Sequence, residues 1–343
     1  MTNLNAEAAL STEYLFDGQR PFSQCHAVSI VRLPGIGFLA AWFAGTHEGH
    51  ADVGIWAATR THTWSPPRLI AKIRNEPHWN PVLFALDREG RSLVLHFKVG
   101  TSIRHWETWT QRSEDAGKTW TEATPLVARS SESKGGRGAV RSKPIQLRSG
   151  DWLAGASIER WRRWDAFFDR SPDGVGDWEK TSLVPRNRLR FVGKGIIQPT
   201  LWESTPGSIH ALFRSTDGAV HRSDSQDDGR TWSPTRATEL PNNNSGIDLV
   251  ALEGGTLALV CNPVPGNWAA RTPLSVLFSH DNGATWPDRI DLETEAGEFS
   301  YPALISDARE GGDGLAVAYT WNRRRIAFAR IPADQIPRGE SPR

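Results

Sequence analysis

The sequence predicts an all-β protein, a six-bladed β-propeller, and three observations support this prediction. An eight-residue box, Ser-x-Asp-x-Gly-x-Thr-Trp, occurs at residues 113–120, 225–232 and 279–286. A degraded copy occupies residues 171–178 and a remnant ends at Trp64, so box tryptophans recur roughly every 55 residues, which suits one four-stranded blade per repeat. Pairs of apolar runs joined by a turn occur six times, at residues 27–45, 81–100, 144–159, 199–215, 246–263 and 302–321.

The box is predicted to be a hairpin turn between strands. Its aspartate accepts hydrogen bonds from backbone N–H groups, its glycine adopts a positive φ, and its tryptophan packs between neighbouring blades. Turn carboxylates of this kind usually hold the turn. Asp115, Asp227 and Asp281 are therefore predicted to be structural.

Charge and composition narrow the classes of function. The 343-residue chain has a formal net charge of +1 and no long Lys/Arg block, so binding to nucleic acid is not expected. The first residues lack a basic start and a signal-length apolar stretch, and no segment reaches membrane-spanning length, so a cytoplasmic protein is expected. Because the repeat covers nearly the whole chain, residues 1–343 are predicted to form a single domain.

The sequence predicts neither a disulfide framework nor a metal site. Cys25 and Cys261 each head an apolar strand, which favours buried thiols. The ten histidines show no metal-ligand spacing, so no metal or other cofactor is predicted. No obligatory protein partner is evident either, because a closed propeller exposes few strand edges.

A candidate site is expected at one mouth of the central channel, where the starts of the innermost strands and the ends of the next strands converge. The residues that the hairpin register places there are unusually polar. One ring comprises His26, Asn80, Lys143, Gln198, Asp248 and Tyr301, and a second comprises Glu48, Lys98, Glu159, Arg214, Asn262 and Trp321. Trp161 and Trp164 lie in a longer excursion of the third blade and are expected either to form a platform for a sugar ring or to pack beneath a loop.

The boxes, the blade number and the segments around Arg214, Arg271 and Tyr301 resemble the sialidase (neuraminidase) superfamily, particularly its bacterial BNR-repeat branch, over nearly the full chain. In that family, arginines before two successive boxes bind the substrate carboxylate, and a tyrosine after the second box is the nucleophile. The resemblance implies these roles for Arg214, Arg271 and Tyr301. Guanidinium groups suit bidentate carboxylate binding, and tyrosine is a known exception to paired catalytic carboxylates.

Three positions depart from the family pattern. Gln198 stands where the family has the glutamate that takes the proton of the tyrosine, and an amide cannot be that base. His26 lies near the place of the family's first arginine. The family's general acid is an aspartate in the loop after the second strand, and this loop, residues 45–56, offers Glu48 and Asp52, of which Asp52 is favoured.

Three functions remain open. The first is an exo-type glycoside hydrolase that removes a terminal sugar from an acidic oligosaccharide containing sialic or uronic acid. Tyr301 or a nearby carboxylate is its nucleophile, and Glu48 or Asp52 is its acid. Its predicted substrate-binding residues are Arg214, Arg271, Gln198, Asn80, Lys98 and Trp321.

The second function is a polysaccharide lyase that eliminates across a glycosidic bond to glucuronate next to rhamnose. His26, His78 and Tyr301 would exchange the protons, since histidine titrates in the right range. For His78, a structural histidine bonded to backbone is an equal alternative. The third function is a non-catalytic glycan-binding propeller, which the replacement of a base by Gln198 supports.

Overall fold

The computed structural model describes residues 2–3, 12–18, 20–128, 136–187, 191–309 and 312–339. Their strands form six sheets, five with four strands and one with five, which confirms the predicted six-bladed β-propeller. Within this part of the chain, the helical segments are three single 3-10 turns at Ile103–His105, Glu253–Gly255 and Ala333–Gln335. None of the helices in these ranges has the length and apolar character needed to cross a membrane.

The strands of each blade follow one another along the chain. Two short strands come first, β1 (Thr2–Asn3) and β2 (Thr12–Tyr14). Blade 1 contains β3 (Gln24–Leu33), β4 (Gly37–Gly45), β5 (Gly54–Arg60) and β6 (Arg68–Ala71). Blade 2 contains β7 (His78–Ala85), β8 (Leu93–Val99), β9 (Glu107–Ser113) and β10 (Thr124–Pro125). Blade 3 contains β11 (Ile145–Gln146), β12 (Trp152–Arg160), β13 (Arg163–Ser171) and β14 (Glu179–Lys180).

The second half of the ring repeats this order. Blade 4 contains β15 (Ile196–Thr205), β16 (Ser208–Ser215), β17 (Ala219–Ser225) and β18 (Arg236–Pro241). Blade 5 contains β19 (Asp248–Ala251), β20 (Leu257–Cys261), β21 (Leu274–Ser279) and β22 (Asp288–Glu293), and β1 adds a parallel fifth strand beside β22. Blade 6 contains β23 (Phe299–Arg309), β24 (Gly312–Trp321) and β25 (Arg325–Ile331), and β2 completes it.

The N-terminal strand β2 joins the last blade to the first. It pairs antiparallel with β25, and Leu15, directly after it, is buried in an apolar cluster of residues from blades 1 and 6 that includes Phe328. Glu13 on β2 accepts hydrogen bonds from Arg60 and from Trp64 Nε1 of blade 1. Both apolar and polar contacts therefore close the ring.

The repeated boxes form the predicted turns. Asp115 accepts hydrogen bonds from Ser113 Oγ at 2.8 Å, Thr119 N at 2.8 Å and Thr119 Oγ1 at 2.6 Å, and Gly117 has a φ of 80°. The boxes around Asp227 and Asp281 repeat these bonds. Hydrogen bonds from Thr119 lower the pKa of Asp115 to about 2. These carboxylates are committed to their turns.

Each box tryptophan packs against the preceding blade. Trp232 of blade 4 stacks on Phe168 of blade 3, with ring centroids 4.0 Å apart. The remnant Trp64 of blade 1 meets Phe328 of blade 6 edge-on at 5.3 Å. The box tryptophans recur in the sequence once per blade because each one packs at the contact between two neighbouring blades.

The innermost strands of blades 1, 2, 4 and 6 are bulged near their starts, at one end of the ring. Their pairing registers shift there, and each bulge contains a non-glycine residue with positive φ. These residues are Ala27, Asn80, Gln198 and Tyr301. A bulge redirects side chains and interrupts regular strand pairing. Bulges and positive φ values are common next to functional sites, so this end of the ring is the place to look for one.

Candidate active site

Tyr301 lies at the centre of the polar cluster at the bulged end. It follows the start of β23 with a φ of 50°, and its hydroxyl oxygen accepts a hydrogen bond of 2.9 Å from Arg214 Nη1. Arg214 comes from the end of β16, two blades away along the chain. The structure therefore brings together two of the three residues that carried the family resemblance.

Neutral groups hold the Arg214 guanidinium. Nη1 also donates to Gln198 Oε1 at 3.0 Å, Nε donates to Asn244 Oδ1 at 3.1 Å, and Nη2 donates to the Asn244 carbonyl. Arg214 is 2 % exposed. Within the described ranges, this buried cation has no carboxylate hydrogen-bond partner.

Arg141 is a second buried cation at Tyr301, and the sequence analysis missed it. Its guanidinium carbon lies 5.3 Å from the centre of the Tyr301 ring. Nη2 donates to the Pro302 carbonyl, whereas Nε has no partner among the described residues. Burial lowers the pKa of Arg141 to about 10, although interactions with Asp248 and Tyr301 raise it in part. Arg141 precedes the short strand β11, where no regular hairpin register indicated it.

Arg271 approaches the same ring from blade 5. Its guanidinium carbon lies 5.5 Å from the Tyr301 ring centre, and Nη1 donates to Glu298 Oε1 at 2.8 Å and Ser300 Oγ at 3.2 Å. Glu298 also accepts from Arg323 Nε at 3.0 Å. Arg271 therefore shares the Glu298 carboxylate with Arg323, whereas Arg141 and Arg214 have no carboxylate hydrogen-bond partner among the described residues.

His26 packs against the nucleophile candidate. The rings of His26 and Tyr301 have centroids 4.3 Å apart, and His26 Nδ1 is buried without a partner in the described part of the chain. Burial lowers the pKa of His26 well below its ordinary value, and four nearby arginines lower it further. These are Arg323, Arg271, Arg141 and Arg214. His26 is neutral at physiological pH.

The acidic loop of blade 1 is engaged in local bonds. Asp52 accepts hydrogen bonds from Thr46 N at 3.0 Å and Thr46 Oγ1 at 2.7 Å, and His50 Nδ1 lies 2.7 Å from its Oδ1. Partial burial would raise the pKa of Asp52, but these bonds lower it to about 2. Glu48 pairs with Arg323. Asp52 is thus ionised at neutral pH and has no proton to give.

Glu159, at the end of β12, has a raised pKa, in contrast to the lowered pKa of Asp52. It is partly buried, its backbone pairs with Trp164 in the sheet, and its side chain makes no hydrogen bond or ion pair with the described residues. Burial raises its pKa to about 7, whereas the charges of Arg214 and Lys194 lower it. Burial therefore moves the pKa of this predicted mouth residue towards neutrality.

Two predicted site residues are held by backbone groups elsewhere. His78 accepts a hydrogen bond from Ile73 N at Nε2, and its Nδ1 lies 2.9 Å from the Glu76 carbonyl, so neither ring nitrogen is left for a substrate. Lys98 Nζ donates to the Arg137 and Ala139 carbonyls, between blades 2 and 3. Burial lowers the pKa of Lys98 to about 7.

Other members of the predicted rings also serve the scaffold. Trp321 packs against Tyr14 and Phe299, with centroids 5.7 and 6.3 Å apart, in the core of blade 6. Lys143 pairs with Asp248 at 3.0 Å. Asn262 bonds the Pro273 and Phe299 carbonyls, and Asn80 is buried at the bulge of β7. The hairpin register in the sequence predicted where these residues lie along their strands but not the contacts that their side chains make.

The two tryptophans in the longer segment of blade 3, Trp161 and Trp164, differ in exposure to solvent. Trp161 is 72 % exposed, whereas Trp164 is 8 % exposed. Lys194 Nζ lies 5.7 and 5.5 Å from their two ring centres. Trp268, in the loop before Arg271, is also 64 % exposed and has a positive φ of 65°.

No group of three potential metal-ligating side chains occurs in the described ranges.

Comparison with known proteins agrees with the fold. The sequence pattern of the family described as BNR repeat-like domain matches residues 37–313. No curated protein matches the sequence. Among solved structures, a protein of unknown function from Dyadobacter fermentans has a TM-score of 0.74 and 14 % identity, covering 94 % of this chain and 98 % of that one.

Two similar structures are of sialidase type. The NanB sialidase from Streptococcus pneumoniae has a TM-score of 0.74 and 11 % identity, with 94 % of this chain and 71 % of that chain covered. The intramolecular trans-sialidase from Ruminococcus gnavus has a TM-score of 0.69 and 14 % identity, with 91 % and 95 % covered. Identities this low establish a shared fold and nothing finer.

Proposed function

The chain belongs to the family of BNR repeat-like domains, and from that premise we propose that it is a glycoside hydrolase that removes a terminal acidic sugar, with Tyr301 as its nucleophile. The sialidase-type structures that share its fold support the glycoside class. The site geometry supports the acidic substrate.

The observation that carries this proposal is the pair of buried guanidinium groups of Arg141 and Arg214 beside Tyr301. Among the described residues, neither has a carboxylate hydrogen-bond partner. Buried charges in proteins are normally paired, because removing an ion from water is costly. A substrate carboxylate supplies the missing anion and accepts hydrogen bonds in the geometry that guanidinium prefers.

The same cations explain why a tyrosine would serve as nucleophile. Arg214 Nη1 donates to the phenolic oxygen, and Arg141 and Arg271 lie over the ring, so negative charge developing on that oxygen is stabilised. A neutral phenol also approaches an acidic sugar without the repulsion that a carboxylate would meet.

Proton transfer needs a group other than Gln198. Its amide only accepts the Arg214 hydrogen bond. We assign this role to Glu159, which interacts electrostatically with Arg214 and whose pKa burial raises to about 7. The acid that serves the leaving group is assigned to the blade 1 loop, which carries the carboxyl groups of Glu48, paired with Arg323, and of Asp52, bonded to Thr46.

The lyase is the second candidate, and the contact between His26 and Tyr301 favours it. The two rings lie 4.3 Å apart beside the arginines. Elimination needs an acid, a base and neutralisation of the uronate carboxylate, which this group contains. His78, the other histidine considered for this reaction, has both nitrogens bonded to backbone.

Product analysis separates these functions. The protein is incubated with sialyl-lactose and with an oligosaccharide ending in rhamnosyl-glucuronate, and products are followed by mass spectrometry and ultraviolet absorbance. We expect a product that has gained one water. An unsaturated uronate would replace the hydrolase by the lyase, and binding without turnover would leave the non-catalytic propeller.

Arg141→Met tests the acidic substrate directly. We expect the affinity for the acidic sugar to fall at least about 10-fold, because a charged hydrogen bond is lost. Unfolding free energy should change by less than about 1 kcal/mol, since the cation lacks a carboxylate partner. Calorimetric titration and urea denaturation measure the two effects, with Arg88→Met, an exposed arginine, as control. Unchanged affinity together with a large loss of stability would assign Arg141 to the scaffold.

A further inference from the structure

A second set of chemically competent side chains lies at the opposite end of blade 4. Ser204 Oγ lies 2.8 Å from His210 Nε2, and His210 Nδ1 lies 2.6 Å from Asp224 Oδ1. The three residues come from the successive strands β15, β16 and β17. A hydroxyl, an imidazole and a carboxylate in this order form the arrangement that activates a serine nucleophile.

The hydrogen bonds determine which histidine nitrogen carries the proton. Asp224 only accepts and lies 2.6 Å from His210 Nδ1, closer than the donor Arg222 Nη2 at 3.0 Å, so the proton is assigned to Nδ1 and the lone pair of Nε2 faces the Ser204 hydroxyl. Asn282 Nδ2 donates to the same Nε2 at 3.2 Å. This is the tautomer that a general base needs in order to take a proton from serine.

The carboxylate of the set is firmly ionised. Burial would raise the pKa of Asp224, but hydrogen bonds from His210 and Arg222 lower it to about 2. Arg222 Nε donates to Asp224 Oδ1 at 2.8 Å, and its Nη2 lies 3.0 Å from His210 Nδ1. Arg236 lies 3.8 Å from the other carboxylate oxygen. The Arg222 guanidinium therefore neutralises the charge of the Asp224 carboxylate directly.

Local backbone geometry directs Ser204 towards the histidine. The pairing of β15 with β16 shifts register between Glu203 and Thr205, so Ser204 is the extra residue of a bulge. Bulges redirect one side chain and occur next to functional sites. The His210 ring is fixed from its other side by Trp202, which stacks on it with a centroid distance of 4.9 Å.

Ser204 also lines a cavity. The cavity has a volume of about 610 Å³ and lies between the hairpin turns of blades 4 and 5, within the size range of small-molecule sites. Its lining combines one aromatic residue with polar groups, including Trp202, Arg148, Glu203, Asn282 and His280. Of the three residues in the set, Ser204 is the one that lines this cavity, which is the place expected for a nucleophile.

We propose that Ser204 is the nucleophile of a second active site, which hydrolyses a small carboxylic ester bound in this cavity. Ser204 Oγ attacks the carbonyl carbon while its proton passes to His210 Nε2. The tetrahedral intermediate collapses, the carbon–oxygen bond of the ester breaks, and His210 returns the proton to the departing alkoxide. Water, deprotonated by His210, then attacks the acyl-serine, the bond between the acyl carbon and Ser204 Oγ breaks, and His210 returns the proton to Oγ as the carboxylic acid is released.

The test uses the full chain, p-nitrophenyl acetate and a fluorophosphonate probe, with peptide-level mass spectrometry. We expect both reagents to modify Ser204, and Ser204→Ala to lower nitrophenol release at least about 100-fold. Ser208→Ala is the matched control, because this hydroxyl on the same hairpin bonds Gln226 instead. Asp224→Asn, a change at a positioning residue, should lower the rate with little change in KM, since the preferred histidine tautomer is lost.

Direct labelling of the unmodified protein keeps the test decisive even if a variant is poorly folded. Modification confined to other residues, or an equal rate in the Ser204→Ala protein, would overturn the second site. The result is independent of the glycosidase proposal, because Ser204 and Tyr301 lie at opposite ends of the blades and the probes contain no sugar.

Discussion

Arg214 connects the residues on which the candidate glycosidase depends. One guanidinium contacts Tyr301, Gln198 and Asn244, and its charge acts on Glu159. A glutamate at position 198 would neutralise this cation inside the protein. With glutamine there, the positive charge remains available to a ligand, so the departure at 198 changes what the site can bind as well as how it moves protons.

Glu159→Gln should change how stability depends on pH. The pKa of Glu159 is about 7 when folded and 4.5 as its ordinary value. The folded protein therefore binds the extra proton between these values, and its unfolding free energy falls as pH rises through this window. Glutamine does not titrate. Relative to the parent, the variant should gain about 1 to 3 kcal/mol between pH 4.5 and pH 8.

Urea denaturation at the two pH values measures this gain. Glu114→Gln, at an exposed carboxyl, should show no such difference. An equal effect of Glu159→Gln at both pH values would mean that burial does not raise the pKa of Glu159, and the assignment of proton transfer to it would lose its basis.

At the scale of the element, the box turn is the unit that the sequence specifies most completely. Asp115→Ala removes the acceptor of bonds from Ser113 and Thr119. We expect a loss of about 1 to 3 kcal/mol in unfolding free energy, because these donors lose their partner. Urea denaturation checks this loss. Glu114→Ala, at the variable position of the same box, should cost less than about 0.5 kcal/mol, and equal losses would contradict the turn role.

The low pKa of Asp115 sets the acid limit of this stabilisation. Its value of about 2 lies below the ordinary 3.8, so the ionised turn contributes fully above the ordinary value and is lost as pH falls through about 2. The parent and the Asp115→Ala protein should therefore converge in stability only in strong acid.

The boxes and hairpins were predictable because their signals are local, whereas part of the site was not. Gln198 and Tyr301 were placed correctly since each directly follows the start of a long inner strand. Arg141 and Asn244 were missed because they precede short strands, β11 and β19, in segments without alternation. His78 and Trp321 lie at the right end of their strands, but contacts with backbone and with Tyr14 take them out of the channel. Sequence alone does not contain those contacts.

At the scale of the whole molecule, closure of the ring depends on residues far apart in sequence. Leu15 is 2 % exposed in the cluster that joins blades 1 and 6. Leu15→Ala should lower the unfolding free energy by about 2 to 4 kcal/mol through lost burial and a residual cavity. Leu69→Ala, at a leucine that is 49 % exposed, is the control. A loss no larger than the control's would mean that the ring holds without this contact.

At this scale, the fold tolerates sequence differences that the proposed chemistry does not. Packing of six similar blades is compatible with identities of 11 to 14 % to the compared structures, since many apolar combinations fill the same core. Chemistry depends on single side chains such as Gln198. Similarity of the ring therefore establishes the fold and does not identify the substrate.

The pairing of β2 with β25 has a consequence for how the chain is made. On the ribosome, β2 is synthesised before the five blades that separate it from β25, so this strand must wait unpaired while those blades are completed. Pairing of β2 with β25 then closes the ring after blade 5 has been made. A circularly permuted chain opened between two other blades would contain blade 6 as one continuous segment, and it should assemble that blade without this delay.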